Sequence, residues 1–117
     1  MYFKFEKLEI WQLARKFVVD IYKITRKFPK DELFGLIAQI RRAATSILLN
    51  IAEGSSHSSD IEFRRFLRIA LASLEEVISG LYIALDQHFI DQEEFDMLYE
   101  KGNHLASKLS ALINKLK

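Results

Sequence analysis

Residues Leu33 to Gly54, LFGLIAQIRRAATSILLNIAEG, decide the fold of this chain. Their apolar side chains recur at the i, i+3, i+4, i+7 spacing that predicts a helix with a buried face. These apolar residues are Leu33, Leu36, Ile37, Ile40, Ala43, Ala44, Ile47, Leu48, Ile51 and Ala52. Ile47, Leu48 and Leu49 are consecutive and therefore span about 200° of a helix that turns about 100° per residue. Because this arc is wider than one seam, other helices of the chain or another subunit must cover its second face.

Length and composition indicate one small globular domain. The chain has 117 residues and is 50% hydrophobic, which is enough for one core, so we expect a single domain over residues 1–117. It has no cysteine, which excludes disulfides, thiolate metal sites and thiol nucleophiles. The opening MYFKFEKLEIW alternates aromatic and charged residues, unlike a signal peptide. The longest uncharged run, Ala43 to Ala52, has ten residues, about half of a membrane span. We therefore expect a soluble, cytoplasmic protein with no membrane partner.

The first two helices are delimited by the proline and glycine residues. Apolar positions follow helical spacing from about residue 6 to residue 28, and Pro29 disfavours helical geometry at the residue before it. A short turn, Lys30 to Glu32, then supplies acidic residues near the start of helix two. That helix is predicted to run from Leu33 to Glu53, with Gly54 as a left-handed C-terminal cap.

Two capping motifs open the remaining helices. Ser59-x-x-Glu62 is predicted to start helix three, which runs to about His88, and Asp91-x-x-Glu94 is predicted to start helix four. The predicted seam of helix four consists of Phe95, Leu98, Gly102, Leu105, Leu109, Leu112 and Leu116. Four long helices joined by short connections predict an all-α fold, an antiparallel up-down-up-down four-helix bundle.

Positive charge is concentrated in the first helix. Residues 1–30 have a net charge of +5 and residues 31–117 a net charge of −4. At about 100° per residue, six cations of this region project into an arc of roughly 120°. They are Arg15, Lys16, Lys23, Arg26, Lys27 and Lys30. Such a stripe is a candidate phosphate-binding surface, since binding driven by counterion release needs several cations on one face. The alternative is an ordinary solvated helix face.

A second basic group lies at the start of helix three. It consists of Arg64, Arg65 and Arg68. The planar guanidinium group binds phosphate or carboxylate in a bidentate way, so these arginines are candidate nucleic-acid ligands. The alternative is structural ion pairing with the nearby carboxylates of Glu53, Asp60 and Glu62.

Helix two carries polar residues within its apolar surface. We expect Arg41 and Arg42 to anchor acidic groups of neighbouring helices or subunits. We expect Asn50, which continues the Ile47 seam, to be a buried polar residue that fixes register. The residues predicted to support packing or self-association are Arg41, Arg42, Leu48, Leu49, Asn50 and Glu53.

Catalytic motifs are missing from the sequence. No glutamate has a histidine three residues on, as di-metal carboxylate bundles require. His57, His88 and His104 do not lie at metal-ligand spacing. Serine nucleophile elbows, phosphate-binding loops and dinucleotide fingerprints are also missing. The sequence therefore predicts no enzymatic activity, no cofactor and no metal site.

Several motifs resemble one known family over nearly the whole chain. They are Leu8-x-x-Trp11-x-x-Ala14, Ile21-Tyr22, Phe28-Pro29, Glu32 to Leu36, Gln39 to Ala44, Ser46-Ile47, Asn50 to Gly54, Glu62-Phe63 and Phe66 to Ala70. In these motifs the chain resembles the four-helix-bundle proteins first noticed as products of intervening sequences in bacterial 23S ribosomal RNA genes.

The chain is also similar to the accessory variability proteins of diversity-generating retroelements, which form five-membered rings with a basic surface and bind nucleic acid and a reverse transcriptase. This resemblance implies a homopentamer and a nucleic-acid partner. Many members have a basic loop after the Asn-Ile-Ala-Glu-Gly motif, whereas residues 55–59 here are Ser-Ser-His-Ser-Ser. The resemblance therefore gives no support for binding through this loop.

Together, the residues and the resemblance predict a non-enzymatic bacterial bundle that assembles as a ring. It is predicted to bind nucleic acid, with RNA as the leading ligand and DNA as the open alternative, through the helix-one stripe with help from the arginines of helix three. One alternative is a protein-interaction scaffold or accessory subunit, such as a reverse-transcriptase partner, whose charges serve only solubility. Another is an assembly with no ligand beyond itself.

Overall fold

The computed structural model describes residues 2–57 and 59–116, which form the predicted all-α bundle. Its helices are α1 (Glu9–Thr25), α2 (Leu36–Ser55), α3 (Asp60–Asp86) and α4 (Gln92–Lys115), with 3₁₀ turns at Lys4–Lys7 and Lys30–Glu32. The helices α1 and α3 each pack against both α2 and α4. Within the described residues, no Cα atom of α1 lies within 8 Å of a Cα atom of α3, so these two helices lie at diagonally opposite corners. The predicted fold class is confirmed.

The core runs along the bundle axis and receives side chains from all four helices. Ile21 of α1, Ile47 of α2, Leu81 of α3 and Leu105 of α4 are each at most 1% exposed. Burying one such side chain fully contributes about 1.5–3 kcal/mol to stability. The period-3.6 apolar positions of the sequence therefore account for the arrangement of the helices.

The helices α2 and α3 approach each other closely at glycines. A Cβ atom on Gly54 would lie 2.7 Å from the Phe66 Cβ, and one on Gly80 would lie 2.6 Å from the Ile40 Cγ1. No described glycine has a positive φ, and α2 continues through Gly54 to Ser55. The predicted left-handed cap at Gly54 is therefore wrong. The glycine is required by helix contact instead.

The start of α2 differs from the prediction. Leu33 lies outside the helix and is 48% exposed, and Phe34 is 93% exposed. The Glu32 carboxylate accepts a hydrogen bond from the backbone N–H of Leu36 at 3.2 Å. Because this bond satisfies one of the N–H groups that a helix start leaves without a partner, α2 begins at Leu36.

The predicted capping box at Asp91 is complete, whereas only the N-cap half of the one predicted at Ser59 forms, and the Glu62 carboxylate accepts from Arg65 instead. The Ser59 hydroxyl accepts from the Glu62 N–H at 3.0 Å. The Asp91 carboxylate accepts from the Glu94 N–H at 2.8 Å, and the Glu94 carboxylate accepts from the Asp91 N–H at 3.0 Å. These bonds fix the starts of α3 and α4.

The seam of α4 is correct as far as Leu109 and then shifts by one residue. Ile113 is buried, whereas Leu112 and Leu116 are half-buried. A straight α-helix has 3.6 residues per turn, so a seam written with alternating steps of three and four drifts out of register. Two steps of four, Leu105 to Leu109 to Ile113, follow the straight helix.

Candidate functional site

The outer face of α1 displays four cations around one apolar side chain. Arg15, Lys16, Lys23 and Arg26 are exposed, and Val19, at the centre of the group, is 51% exposed. The four cations lie three, four or seven residues from Val19, which places them on the same helix face. We call these five residues the α1 basic surface.

The carboxylates of α1 are held on its α4 side. Asp20 accepts from Lys101 Nζ at 2.8 Å, and Glu9 lies 3.3 Å from Lys108 Nζ. Both carboxylates are thus neutralised by lysines of α4, and Asp20 lies beside Lys16, with which it lines one shallow pocket. Within residues 2–57 and 59–116, none of the four cations of this surface makes an ion pair.

Lys27 and Lys30 occupy the end of the predicted stripe. Lys27 forms an ion pair with Glu94 of α4. The hydrogen bond to Glu94 raises the pKa of Lys27, and the same bond, with that from the Asp91 N–H, lowers the pKa of Glu94. Lys30 lies beyond α1 in the second 3₁₀ turn and is exposed. Lys27 therefore joins α1 to α4, and Lys30 extends the positive charge past the helix.

The three arginines of α3 face away from the α1 basic surface. Arg64 donates a hydrogen bond to the Leu116 carbonyl at 2.9 Å, and Arg65 Nε donates to the Glu62 carboxylate at 3.1 Å. Arg68 is exposed. Since α3 is diagonal to α1, the two basic groups do not form one site within a single copy. Two of the three arginines already have partners in the chain.

Arg41 has a different partner from the one predicted. Its Nε donates to the Thr25 hydroxyl at 2.8 Å, and its guanidinium carbon lies 4.6 Å from the centre of the Tyr22 ring. The prediction of an acidic partner within the chain is therefore wrong for Arg41. Its role is to join α2 to the last turn of α1. Arg42 is exposed on the outer face of α2.

Asn50 belongs to a polar chain between α2 and α3. Its Nδ2 donates to the Ser46 carbonyl at 2.8 Å and to the Ser46 hydroxyl at 3.0 Å. The hydroxyl groups of Ser46 and Ser73 are hydrogen-bonded at 2.9 Å. Asn50 is half-buried rather than buried. The polar chain links facing positions of the two helices that pack most closely.

The apolar arc of α2 is incompletely covered. Leu48 is partly buried and packs against the core, whereas Leu49 is 65% exposed. Glu53, on the same outer face, lies 3.9 Å from His57 Nε2. The chain alone therefore leaves a large aliphatic side chain of α2 in water.

Two further features are missing from the part of the chain that the structure describes. No three His, Cys, Asp or Glu side chains there are grouped so as to hold a metal ion. None of the helices there is both long and apolar enough to cross a membrane.

Comparison with known proteins assigns the family. The profile described as 23S rRNA-intervening sequence protein matches residues 6–111. The chain belongs to this family. Among curated proteins, no sequence matches it.

A solved structure shares the fold of this chain. It is a protein of unknown function from the S23 ribosomal protein family of Bacteroides thetaiotaomicron. The two chains are 24% identical and superpose with a TM-score of 0.82 over 89% of this chain and 97% of the other. This similarity supports the bundle fold.

One exposed residue of the chain was not predicted from the sequence. Phe34, 93% exposed, lies in the turn between α1 and α2, four residues after Lys30. The apolar run had placed it inside a helix. The signal that could have located it is Glu32, which is spaced to cap a helix beginning at Leu36.

Proposed function

We propose that this chain is a non-enzymatic nucleic-acid-binding protein that binds RNA through the α1 basic surface. The observation that carries the proposal is the segregation of charge on α1. Glu9 and Asp20 are bound by lysines of α4, while Arg15, Lys16, Lys23 and Arg26 point outward. A face whose four cations make no ion pair within the described residues, while the nearby carboxylates are neutralised by α4, attracts a polyanion.

The size of the surface suits a short stretch of phosphate backbone. Lys16 and Arg26 are ten residues apart, or about 15 Å along the helix. Neutralising four phosphates would give a slope of about −3 for log K against log salt on a single strand. Affinity is therefore expected to fall steeply with ionic strength.

Phe34 favours unpaired RNA over a duplex as the ligand. It is exposed in the turn that follows α1, at the same end of the bundle as Arg26 and Lys30. Proteins that bind single strands combine cations along the backbone with aromatic rings on which bases stack. Phe34 supplies such a ring, and it follows the cations of α1 in the sequence.

Charge reversal on α1 tests the proposal. In anisotropy titrations with a fluorescent single-stranded RNA at about 50 mM salt, the double variant Lys16→Glu, Lys23→Glu is expected to lose at least about 100-fold in affinity. The matched control is Lys4→Glu, Lys115→Glu, which makes the same change in net charge at exposed positions of the first 3₁₀ turn and α4. We expect the control to bind within about threefold of the wild type.

Three results would contradict RNA binding through α1. They are an equal loss in the control, an affinity independent of salt, and no binding of the wild type to RNA at low salt. Circular dichroism of each variant verifies that the bundle is folded.

Self-association through the outer face of α2 is the second part of the proposal. It is supported by the 65% exposure of Leu49, an aliphatic side chain beside exposed Arg42 and Glu53. A second copy covering this face would remove Leu49 from water. The sequence resemblance predicts five copies in a ring.

A further inference from the structure

The outer face of α3 has a residue pattern that is symmetric about Ala72. Seven exposed residues follow one another at spacings of 4, 3, 4, 4, 3 and 4, which reads the same in both directions. They are Ile61, Arg65, Arg68, Ala72, Glu76, Ser79 and Ile83. At about 100° per residue they all lie within an arc of about 80°. This face is turned away from the core and covered by nothing in the described chain.

Charge on this face changes sign at Ala72. The arginines precede it, and Glu75 and Glu76 follow it. An antiparallel helix packed on this face is complementary in charge only if its own sequence also has basic residues before acidic ones. A second α3 meets that condition.

We propose that two copies of this chain pair antiparallel through α3, on a two-fold axis at Ala72. In that register Ile61 faces Ile83 of the second copy, and Arg68 faces Glu76 of the second copy. Each contact occurs twice, as an isologous interface requires. A parallel arrangement would place Arg68 against arginine and Glu76 against glutamate, which is repulsive.

Side chains on this face are available for such contacts. Arg65 is bound to Glu62, but within residues 2–57 and 59–116 neither Arg68 nor Glu76 makes an ion pair or a side-chain hydrogen bond. Ile61 is 66% exposed and Ile83 is 51% exposed. Pairing removes both isoleucines from water and supplies the missing charge partners.

The shape of the face also suits a second helix. Ala72 has a small side chain, which lets two helix axes approach to about 8 Å. Beside it lies a shallow groove of about 460 Å³, lined by Ile61, Arg64, Arg65, Arg68, Ile69 and Ala72. In the proposed register this groove receives Ile83 and Glu76 of the second copy. The pairing is independent of RNA binding, since α1 lies on the other side of the bundle.

A disulfide test locates the two-fold axis. The chain has no cysteine, so any cross-link reports on one introduced thiol. The variant Ala72→Cys brings two thiols together at the axis and is expected to give a covalent dimer on a non-reducing gel after mild oxidation.

The matched control is Ser79→Cys, on the same face, whose thiols are about 21 Å apart in the proposed dimer. A disulfide needs Cα atoms within about 7 Å, so the control is expected to stay monomeric on the gel. Equal cross-linking of the two variants, or none of Ala72→Cys, would overturn the proposal.

A charge-swap experiment tests the register. In sedimentation velocity, Arg68→Glu and Glu76→Arg are each expected to halve the number of subunits per particle, and the double variant to restore it. The factor is two for a simple dimer that becomes a monomer and also for two rings joined face to face that become single rings, so this result is distinguishable from ring formation. The proposal is overturned if the wild type and all three variants have the same particle mass. It is also overturned if the double variant has half the subunits per particle of the wild type.

Discussion

Arg41 Nε donates a hydrogen bond to the Thr25 hydroxyl at 2.8 Å, and this bond ties α2 to the last turn of α1. Thr25 is fully buried and donates its own hydroxyl proton to the Ile21 carbonyl at 2.7 Å. The Arg41 guanidinium also covers the Tyr22 ring. One long side chain thus supplies the donor for a buried hydroxyl and closes the α1–α2 corner.

Replacing Arg41 should destabilise the bundle, whereas replacing its neighbour should not. Arg41→Met removes a charged donor from the buried Thr25, and we expect a loss of about 2 kcal/mol in the free energy of unfolding. Arg42→Met, one residue away and exposed, is the matched control and should change stability by less than about 0.5 kcal/mol. Urea unfolding measures both. Equal losses in the two variants would show that the hydrogen bond from Arg41 to Thr25 makes no particular contribution to the free energy of unfolding.

Adding one methyl group at Gly54 should weaken the α2–α3 contact. In Gly54→Ala the new Cβ would lie 2.7 Å from the Phe66 Cβ, an atom that no rotamer change can move. Overpacking costs about 1–3 kcal/mol, while alanine gains about 1 kcal/mol of helix propensity over glycine, so we expect a net loss of up to about 2 kcal/mol. Thermal unfolding checks the sign. An increase in Tm would mean that the helices separate at no cost.

Glu94 should make stability depend on pH at the acidic side. Its pKa in the folded chain is lowered below the usual 4.5 by Lys27 and by the Asp91 N–H. A lowered carboxylate pKa stabilises the fold above the unfolded pKa, and this contribution is lost as pH falls through the folded pKa. In Glu94→Gln the side-chain oxygen can still accept from the Asp91 N–H, but the charge is gone. We expect a lower Tm than the wild type at about pH 7 and a smaller difference at about pH 3. A difference that is constant across this range would rule out the ionised pair as its cause.

Leu49 should control self-association without supporting the fold. Because this side chain is 65% exposed in the single chain, Leu49→Glu should leave the free energy of unfolding of the monomer within about 0.5 kcal/mol. Light scattering should show fewer subunits per particle than in the wild type. Leu105→Ala is the opposite case, since Leu105 is 1% exposed and its truncation should cost about 2–5 kcal/mol. If Leu49→Glu has the same particle mass as the wild type, α2 is not part of the self-association interface.

Apolar spacing was sufficient to predict the four helices and their antiparallel order. Capping residues gave the starts of α3 and α4, because Ser59 and Asp91 act through local hydrogen bonds that sequence spacing specifies. The start of α2 was misplaced because Leu33 and Phe34 continue the apolar pattern into a turn. A pattern of hydrophobicity cannot distinguish a helix residue from an exposed turn residue when both are apolar.

The candidate site was predictable only in part for a similar reason. Helical spacing grouped Arg15, Lys16, Lys23 and Arg26 on one face, but the ion pair between Lys27 and Glu94 joins residues 67 positions apart. The sequence could not specify that contact, nor the hydroxyl partner of Arg41. The diagonal position of α3 relative to α1 does follow from the predicted up-down-up-down order, and that order already separates the arginines of α3 from the cations of α1.

Helices at opposite corners have a mechanical consequence for any particle built from this chain. If two copies are joined back to back at α3, their α1 helices project from the far sides in opposite directions. Such a particle would bind two RNA segments at once. Binding of the first segment raises the effective concentration for binding of the second. It would link separate RNA strands, in contrast to a protein that covers the length of a single strand.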